Sequence, residues 1–140
     1  MRRASRFSLA FIAVFLFSGF VQADQISFKA NLAPGPGITS SGKGNATASL
    51  DTATKMLTWT VDYSGLSGPV TAAHIHGPAD PGANAGIVVP FTGNLASPFK
   101  GSATLTDAQI AQLEAGKWYV NLHTEANKGG EIRGQLIRGS

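Results

Sequence analysis

Apolar and polar residues alternate along most of the chain with a period of two. In QISFKANL (25–32) and KMLTWTVDY (55–63), the apolar side chains fall mainly on every second position. This alternation is typical of strands with one buried and one exposed face. Further strands are predicted in NATASL, VTAAHIHG, IVVPF, PFKGSATL, KWYVNLHTE and EIRGQLIR, which are separated by segments rich in turn-forming Gly, Pro, Asn and Ser.

A single helix interrupts the strand pattern. Thr106 is a good N-cap, DAQIAQLEA follows it, and Gly116 is a typical C-terminal stop. We expect a helix from Asp107 to Ala115 that covers an end or edge of the sheets. About eight short strands and one short helix predict an all-β fold, either a β-sandwich or a small barrel.

Residues 1–23 have the pattern of a secretory signal peptide. Three arginines precede an apolar run from Phe7 to Val21, and the small residue Ala23 follows it. An uncleaved membrane anchor is the alternative, but the run of about 15 residues is shorter than the ~20 of a spanning helix. We expect cleavage after Ala23, one mature domain at 24–140, and a secreted or periplasmic protein without membrane attachment.

Removal of the signal peptide changes the charge of the protein. The whole chain has 11 basic and 8 acidic residues, but three arginines leave with the signal peptide, so the mature chain is nearly neutral. A nucleic-acid-binding protein would keep a basic surface, so we expect no nucleic acid partner. The chain has no cysteine, so any metal site must use nitrogen or oxygen ligands.

The last two strands form a predicted hairpin. A three-residue loop, Asn127–Gly129, with Gly129 in the left-handed conformation would set its register. The expected pairs are Ala126 with Gly130, His123 with Arg133, Asn121 with Gln135, and Val120 with Leu136. The apolar face of this hairpin is then formed by Trp118, Val120, Leu122, Ile132 and Leu136.

Two of the three histidines stand two positions apart in TAAHIHGPADPG (71–82). His74 and His76 therefore share one face of a strand, and His123 could supply a third imidazole to a zinc or copper site. The alternative is a hydrogen-bonded polar cluster that fixes strand ends. Besides the histidines, the polar patch is predicted to contain Arg133, Glu131, Glu125 and Asn121.

The two histidine-bearing strands must approach each other for either interpretation. If successive strands simply alternate in direction, the ends that carry the histidines would lie at opposite ends of the fold. We therefore predict that the helix acts as a crossover, so that the strand of His123 runs parallel to that of His74.

Motifs for catalysis are missing from the sequence. It contains no cysteine nucleophile, no GxSxG, no HExxH and no phosphate-binding glycine loop. Glu125 and Glu131 could be paired carboxylates, but Arg133 nearby favours a salt-bridged surface. We expect no enzymatic activity. Asn45 begins an NAT glycosylation sequon, a frequent chance match.

The motifs AHIHGPADPGANAGIVV and LEAGKWYVNLHTEANKGGEIRGQL, in that order, closely resemble the CHRD domain, the module named after chordin. The resemblance extends from about Gln25 to Ile137. It implies an immunoglobulin-like β-barrel with no generally accepted activity. Chordin binds growth factors, but that binding is usually credited to cysteine-rich modules, which this chain lacks. Lys128 stands where the family pattern leads us to expect proline.

Two functional hypotheses follow from the sequence. The first, based on the resemblance, is a secreted non-catalytic module without a cofactor that binds an extracellular protein or matrix. The second is a periplasmic or extracellular copper- or zinc-binding protein that uses His74, His76 and His123. The His-x-His strand is weakly similar to copper-zinc superoxide dismutase, but three histidines cannot build that enzyme's two-metal site.

Overall fold

The computed structural model describes residues 10–19 and 23–139, and most of the predicted signal peptide, including its arginines, lies outside these residues. No helix within the described ranges is both long and apolar enough to cross a membrane. The elements are β1 (Gln25–Pro34), β2 (Lys43–Asp51), β3 (Met56–Ser64), β4 (Val70–His76), β5 (Ile87–Pro90), β6 (Phe99–Thr104), α1 (Asp107–Glu114), β7 (Tyr119–Thr124), β8 (Ile132–Gln135) and β9 (Ile137–Arg138).

Eight of the strands form one nearly closed, barrel-like antiparallel sheet in the order β5-β4-β7-β8-β1-β2-β3-β6. Strand β1 joins the two halves, because it pairs with β2 along most of its length and with β8 only at Ala33 and Pro34. The short β9 pairs with β1 beside this path. The predicted all-β class is confirmed, and a barrel describes the sheet better than two separate layers.

The core lies inside the barrel, where alternate residues of each strand point. The rings of Phe91 and Phe99 are 5.5 Å apart, and Phe91 also lies 4.8 Å from Trp59. Because Phe91 follows β5 and Phe99 begins β6, these rings pack between the two end strands of the sheet. The side chains buried most completely include Phe28, Leu50, Leu57, Val61, Ile75, Leu113, Trp118, Leu122, Ile132 and Leu136.

Helix α1 begins as the sequence predicted and ends one residue earlier. Thr106 and Gln109 form a complete capping box, in which each side chain accepts a bond from the other's backbone N–H. Gly116 adopts φ 71°, a left-handed conformation that suits glycine after a helix. Leu113 is fully buried and anchors the helix to the core.

The predicted crossover is wrong. Strands β4 and β7 are direct neighbours and pair antiparallel, with Ala73 opposite Leu122 and Ile75 opposite Val120. The connection through α1 therefore joins β6 to β7 without making any parallel pair, since every strand pair in the described chain is antiparallel.

The predicted hairpin register is also wrong, by two residues. The structure pairs Asn121 with Arg133, Tyr119 with Gln135, Val120 with Gly134 and Leu122 with Ile132. The turn is wider than three residues, because Thr124 and Asn127 bond to each other through their backbones and Gly130 donates to Asn127. A shift of two leaves every side chain on its predicted face, so the apolar face from Trp118 to Leu136 is confirmed.

Candidate metal centre

The three histidines lie on the outer face of the β4–β7 pair. His74 is opposite Asn121, His76 is opposite Tyr119, and His123 is opposite Ala72. Successive residues of a strand point to opposite faces. Ile75 and Leu122 point into the barrel, so the histidines next to them in sequence point outward. Direct antiparallel pairing thus brings the His123 side chain diagonally next to His74.

The histidine nitrogens converge on a small volume. Nδ1 of His74 lies 3.1 Å from Nε2 of His123, and one ring nitrogen from each histidine lies within 4.8 Å of the other two. The ring centroids are 4.9 Å apart for His74 and His123, 5.4 Å for His74 and His76, and 6.1 Å for His76 and His123.

Backbone carbonyls from two loops fix the tautomers of two rings. Nδ1 of His76 is 2.9 Å from the Ala85 oxygen, and Nδ1 of His123 is 2.8 Å from the Lys128 oxygen. A carbonyl oxygen only accepts hydrogen bonds, so each Nδ1 donates and each Nε2 of a neutral ring presents its lone pair. Nε2 of His76 is buried and has no hydrogen-bond partner among residues 10–19 and 23–139.

The surroundings favour the neutral forms of His74 and His76. Burial, followed by the positive charges that His123 and His76 would carry, lowers the pKa of His74. Burial also lowers the pKa of His76, and charges on His123 and Arg133 add to this, against the raising effect of its bond to Ala85. Neutral imidazole is the form that coordinates metals.

Tyr119 connects the histidines to Arg133. Its ring stacks on His76, with centroids 5.0 Å apart and planes at 7°, and the Arg133 guanidinium lies 3.7 Å from the Tyr119 centroid. Arg133 also donates to Asn84 Oδ1 at 2.8 Å and to the Ala83 oxygen at 2.6 Å. These bonds hold loop 77–86, which supplies the carbonyl for His76, against the site.

Asn121 holds the second loop, 125–130. Its Nδ2 donates to the Gly129 oxygen at 3.2 Å, while its Oδ1 is buried without a partner. The amide packs against Gly130, which has φ 119° and where a Cβ would collide with the Asn121 amide. Asn121 and Arg133 therefore lie beside the histidines, as the predicted polar patch requires.

The two glutamates of the predicted patch bond to residues other than Arg133 and the histidines. Glu131 is 1% exposed and accepts bonds from the hydroxyls of Ser40 (2.7 Å), Ser67 (2.7 Å) and Thr124 (2.6 Å). Glu125 is exposed and pairs with Lys128 at 3.2 Å. The expected salt-bridged surface around Arg133 is wrong, because within the described ranges neither glutamate pairs with that guanidinium.

Hydrogen bonds determine the ionisation of Glu131. Burial alone would raise its pKa, but the bonds from Ser40, Thr124 and Ser67 outweigh this and lower the pKa to about 2. No pattern in the sequence pointed to these partners, because Ser40 and Ser67 lie 91 and 64 residues away along the chain.

Comparison with known families identifies the domain. The model of the CHRD domain family matches residues 28–136. The chain belongs to the CHRD family. The matched range of the CHRD domain contains all three histidines, Tyr119 and Arg133, and CHRD domains occur in secreted and extracellular proteins. Comparison with curated proteins gave no match, and comparison with solved structures gave none either.

Proposed function

We propose that this CHRD domain is a secreted, non-catalytic protein that binds a copper or zinc ion through His74, His76 and His123. The observation that carries the proposal is the approach of three imidazole nitrogens to within 4.8 Å of one another. A metal ion would give Nε2 of His76 a partner. Without one, burial of this polar atom lowers the stability of the fold.

The nitrogen positions suit a single ion. Metal–nitrogen bonds of about 2.0–2.1 Å in tetrahedral geometry separate neighbouring ligand atoms by about 3.3 Å. The 3.1 Å between His74 Nδ1 and His123 Nε2 is close to this value. The three nitrogens lie within 4.8 Å of one another, so binding of one ion would bring the most distant pair closer by up to about 1.5 Å.

The carbonyl partners support the same function. A histidine ligand usually donates its other ring nitrogen to a carbonyl or carboxylate, which orients the ring and fixes its tautomer. Ala85 and Lys128 supply such carbonyls for His76 and His123. A ligand set of neutral imidazoles, without thiolates, suits copper and zinc and does not suit calcium or magnesium, which prefer oxygen.

Binding of an extracellular protein or matrix stays a prediction from the family. It is compatible with metal binding, but no contact of the described residues identifies such a partner. The histidine geometry therefore favours the metal-binding hypothesis as the more specific of the two.

Calorimetric titration and elemental analysis test the proposal. The protein starting at Asp24, without a histidine tag, is stripped of metal and titrated with Cu²⁺ and Zn²⁺. We expect one ion per molecule. Loss of a residue that only orients a metal ligand weakens metal binding by about 10- to 100-fold. His123→Ala removes a ligand itself, so it should weaken metal binding by more than this.

Lys128→Ala is the matched control. The hydrogen bond of His123 to Lys128 uses the backbone oxygen, which alanine keeps, so this variant should bind metal like the wild type. Absence of stoichiometric binding, or equal binding by His123→Ala and the wild type, would contradict the proposal.

A further inference from the structure

We propose that a small monovalent anion, such as a carboxylate or bicarbonate, is the exogenous ligand of the metal-loaded histidine site. This inference rests on the proposed metal binding by His74, His76 and His123. It concerns the coordination position that three protein ligands leave open on a four-coordinate ion.

The charge of the ligand set is the first argument. Among the described residues, the group of metal-ligating side chains at this place consists of the three histidines alone, without a carboxylate. Neutral imidazoles leave the full double positive charge on the ion. His76 is only 9% exposed, so water compensates this charge incompletely, and an anionic ligand becomes favourable.

The charges around the site are the second argument. The Arg133 guanidinium lies against the Tyr119 ring, which also stacks on His76, so a further positive charge contacts the ring that packs on one of the ligands. The acidic side chains of the two neighbouring loops already have cationic partners, since Glu125 pairs with Lys128 and Asp80 with Lys117. Neither carboxylate belongs to the group of side chains that could ligate the ion.

Glu131, which is buried between β7 and β8, does not provide this negative charge either. Both carboxylate oxygens of Glu131 already accept hydrogen bonds, from Ser40, Ser67 and Thr124, and Glu131 is not among the side chains grouped around the ion. A negative ligand must therefore come from solution. His74 and His123 are only half-buried, so a small anion from solution could reach an ion held by the three rings from their side, with no change in oxidation state.

Visible absorption of the Co²⁺-loaded protein tests this inference. Co²⁺ replaces the native ion as a spectroscopic probe, and the protein is titrated with azide and with acetate in a buffer without coordinating anions. We expect a saturable change of the cobalt bands with one anion per metal. The Arg133→Gln variant should bind the anion about two- to fivefold more weakly, as loss of one partly exposed charge predicts.

Arg138→Gln is the matched control for Arg133→Gln. It removes the same charge from an exposed arginine on β9, which pairs with β1 and not with β4 or β7, so anion affinity should match the wild type. Stoichiometric cobalt binding with no response to either anion would overturn this inference and leave the metal site intact. Failure to bind cobalt, copper and zinc would instead overturn the proposed function itself.

Discussion

Nδ1 of His74 lies 3.1 Å from Nε2 of His123, although 49 residues separate them along the chain. Direct antiparallel pairing of β4 and β7 produces this contact, because Ala72, two residues before His74, stands opposite His123. His123 Nδ1 donates to the Lys128 oxygen, so the Nε2 of a neutral His123 accepts a bond that His74 Nδ1 donates. Binding of one metal ion by both nitrogens would require the His74 proton to move from Nδ1 to Nε2 of the same ring.

The metal-free protein should lose stability as pH falls through the histidine range. The folded pKa values of His74 and His76 lie below the ordinary histidine value of 6.5, so the unfolded chain binds protons more readily. The contribution of these two histidines to the free energy of unfolding is therefore fully present above about pH 6.5. It decreases below that pH until the rings of the folded protein are protonated as well. Thermal melts between pH 8 and 5 measure this loss.

The same melts on His74→Gln provide the control, because this variant lacks one of the two lowered groups. Its pH dependence should be shallower than that of the wild type. Equal slopes for both proteins would show that the histidine cluster does not control acid stability.

Glu131→Gln should destabilise the fold by about 1–3 kcal/mol, because an amide cannot accept all the bonds that Ser40, Ser67 and Thr124 donate. With a folded pKa of about 2, the carboxylate's contribution is fully present above about pH 4.5 and disappears as pH falls through about 2. Urea unfolding at pH 7 measures the cost. Exposed Glu125→Gln is the control and should change stability by less than about 0.5 kcal/mol.

Gly130→Ala should destabilise the hairpin and disturb the metal site together. Its φ of 119° disfavours any side chain, and a Cβ would displace the Asn121 amide, so we expect a cost of about 1–3 kcal/mol. Chemical unfolding and metal titration measure the two effects. Gly129→Ala is the neighbouring control, since nothing lies within 4 Å of its Cβ position; similar results for both variants would contradict the packing argument.

Truncation of either core tryptophan should cost about 3–5 kcal/mol. Trp118 is fully buried and Trp59 is 7% exposed, so Trp118→Ala and Trp59→Ala each leave a large cavity. Thermal melts should show a clear loss relative to Met56→Ala, which removes a side chain that is 41% exposed. Wild-type melting of both tryptophan variants would disprove the inward orientation of these side chains.

Local pattern was sufficient for the strands, the helix and the core faces. The alternation that placed Leu57, Trp59 and Val61 on one side is confirmed by their burial, and Thr106 caps the helix as predicted. These features depend on neighbours within a few residues, since strand faces repeat every second position and an N-cap bonds three residues ahead. The amino-acid sequence by itself therefore determined them.

Only the tertiary structure decided which strands are neighbours and in what register they pair. A shift of two residues leaves the apolar pattern unchanged, so it could not distinguish Asn121 opposite Gln135 from Asn121 opposite Arg133. The apolar pattern also could not show that β4 and β7 are neighbours, which brings His123 next to His74. Nor could it show that two loops bring Ser40 and Ser67 to Glu131. These contacts depend on the closure of the whole sheet, because their partners lie 49 to 91 residues apart and leave no periodic signal between them.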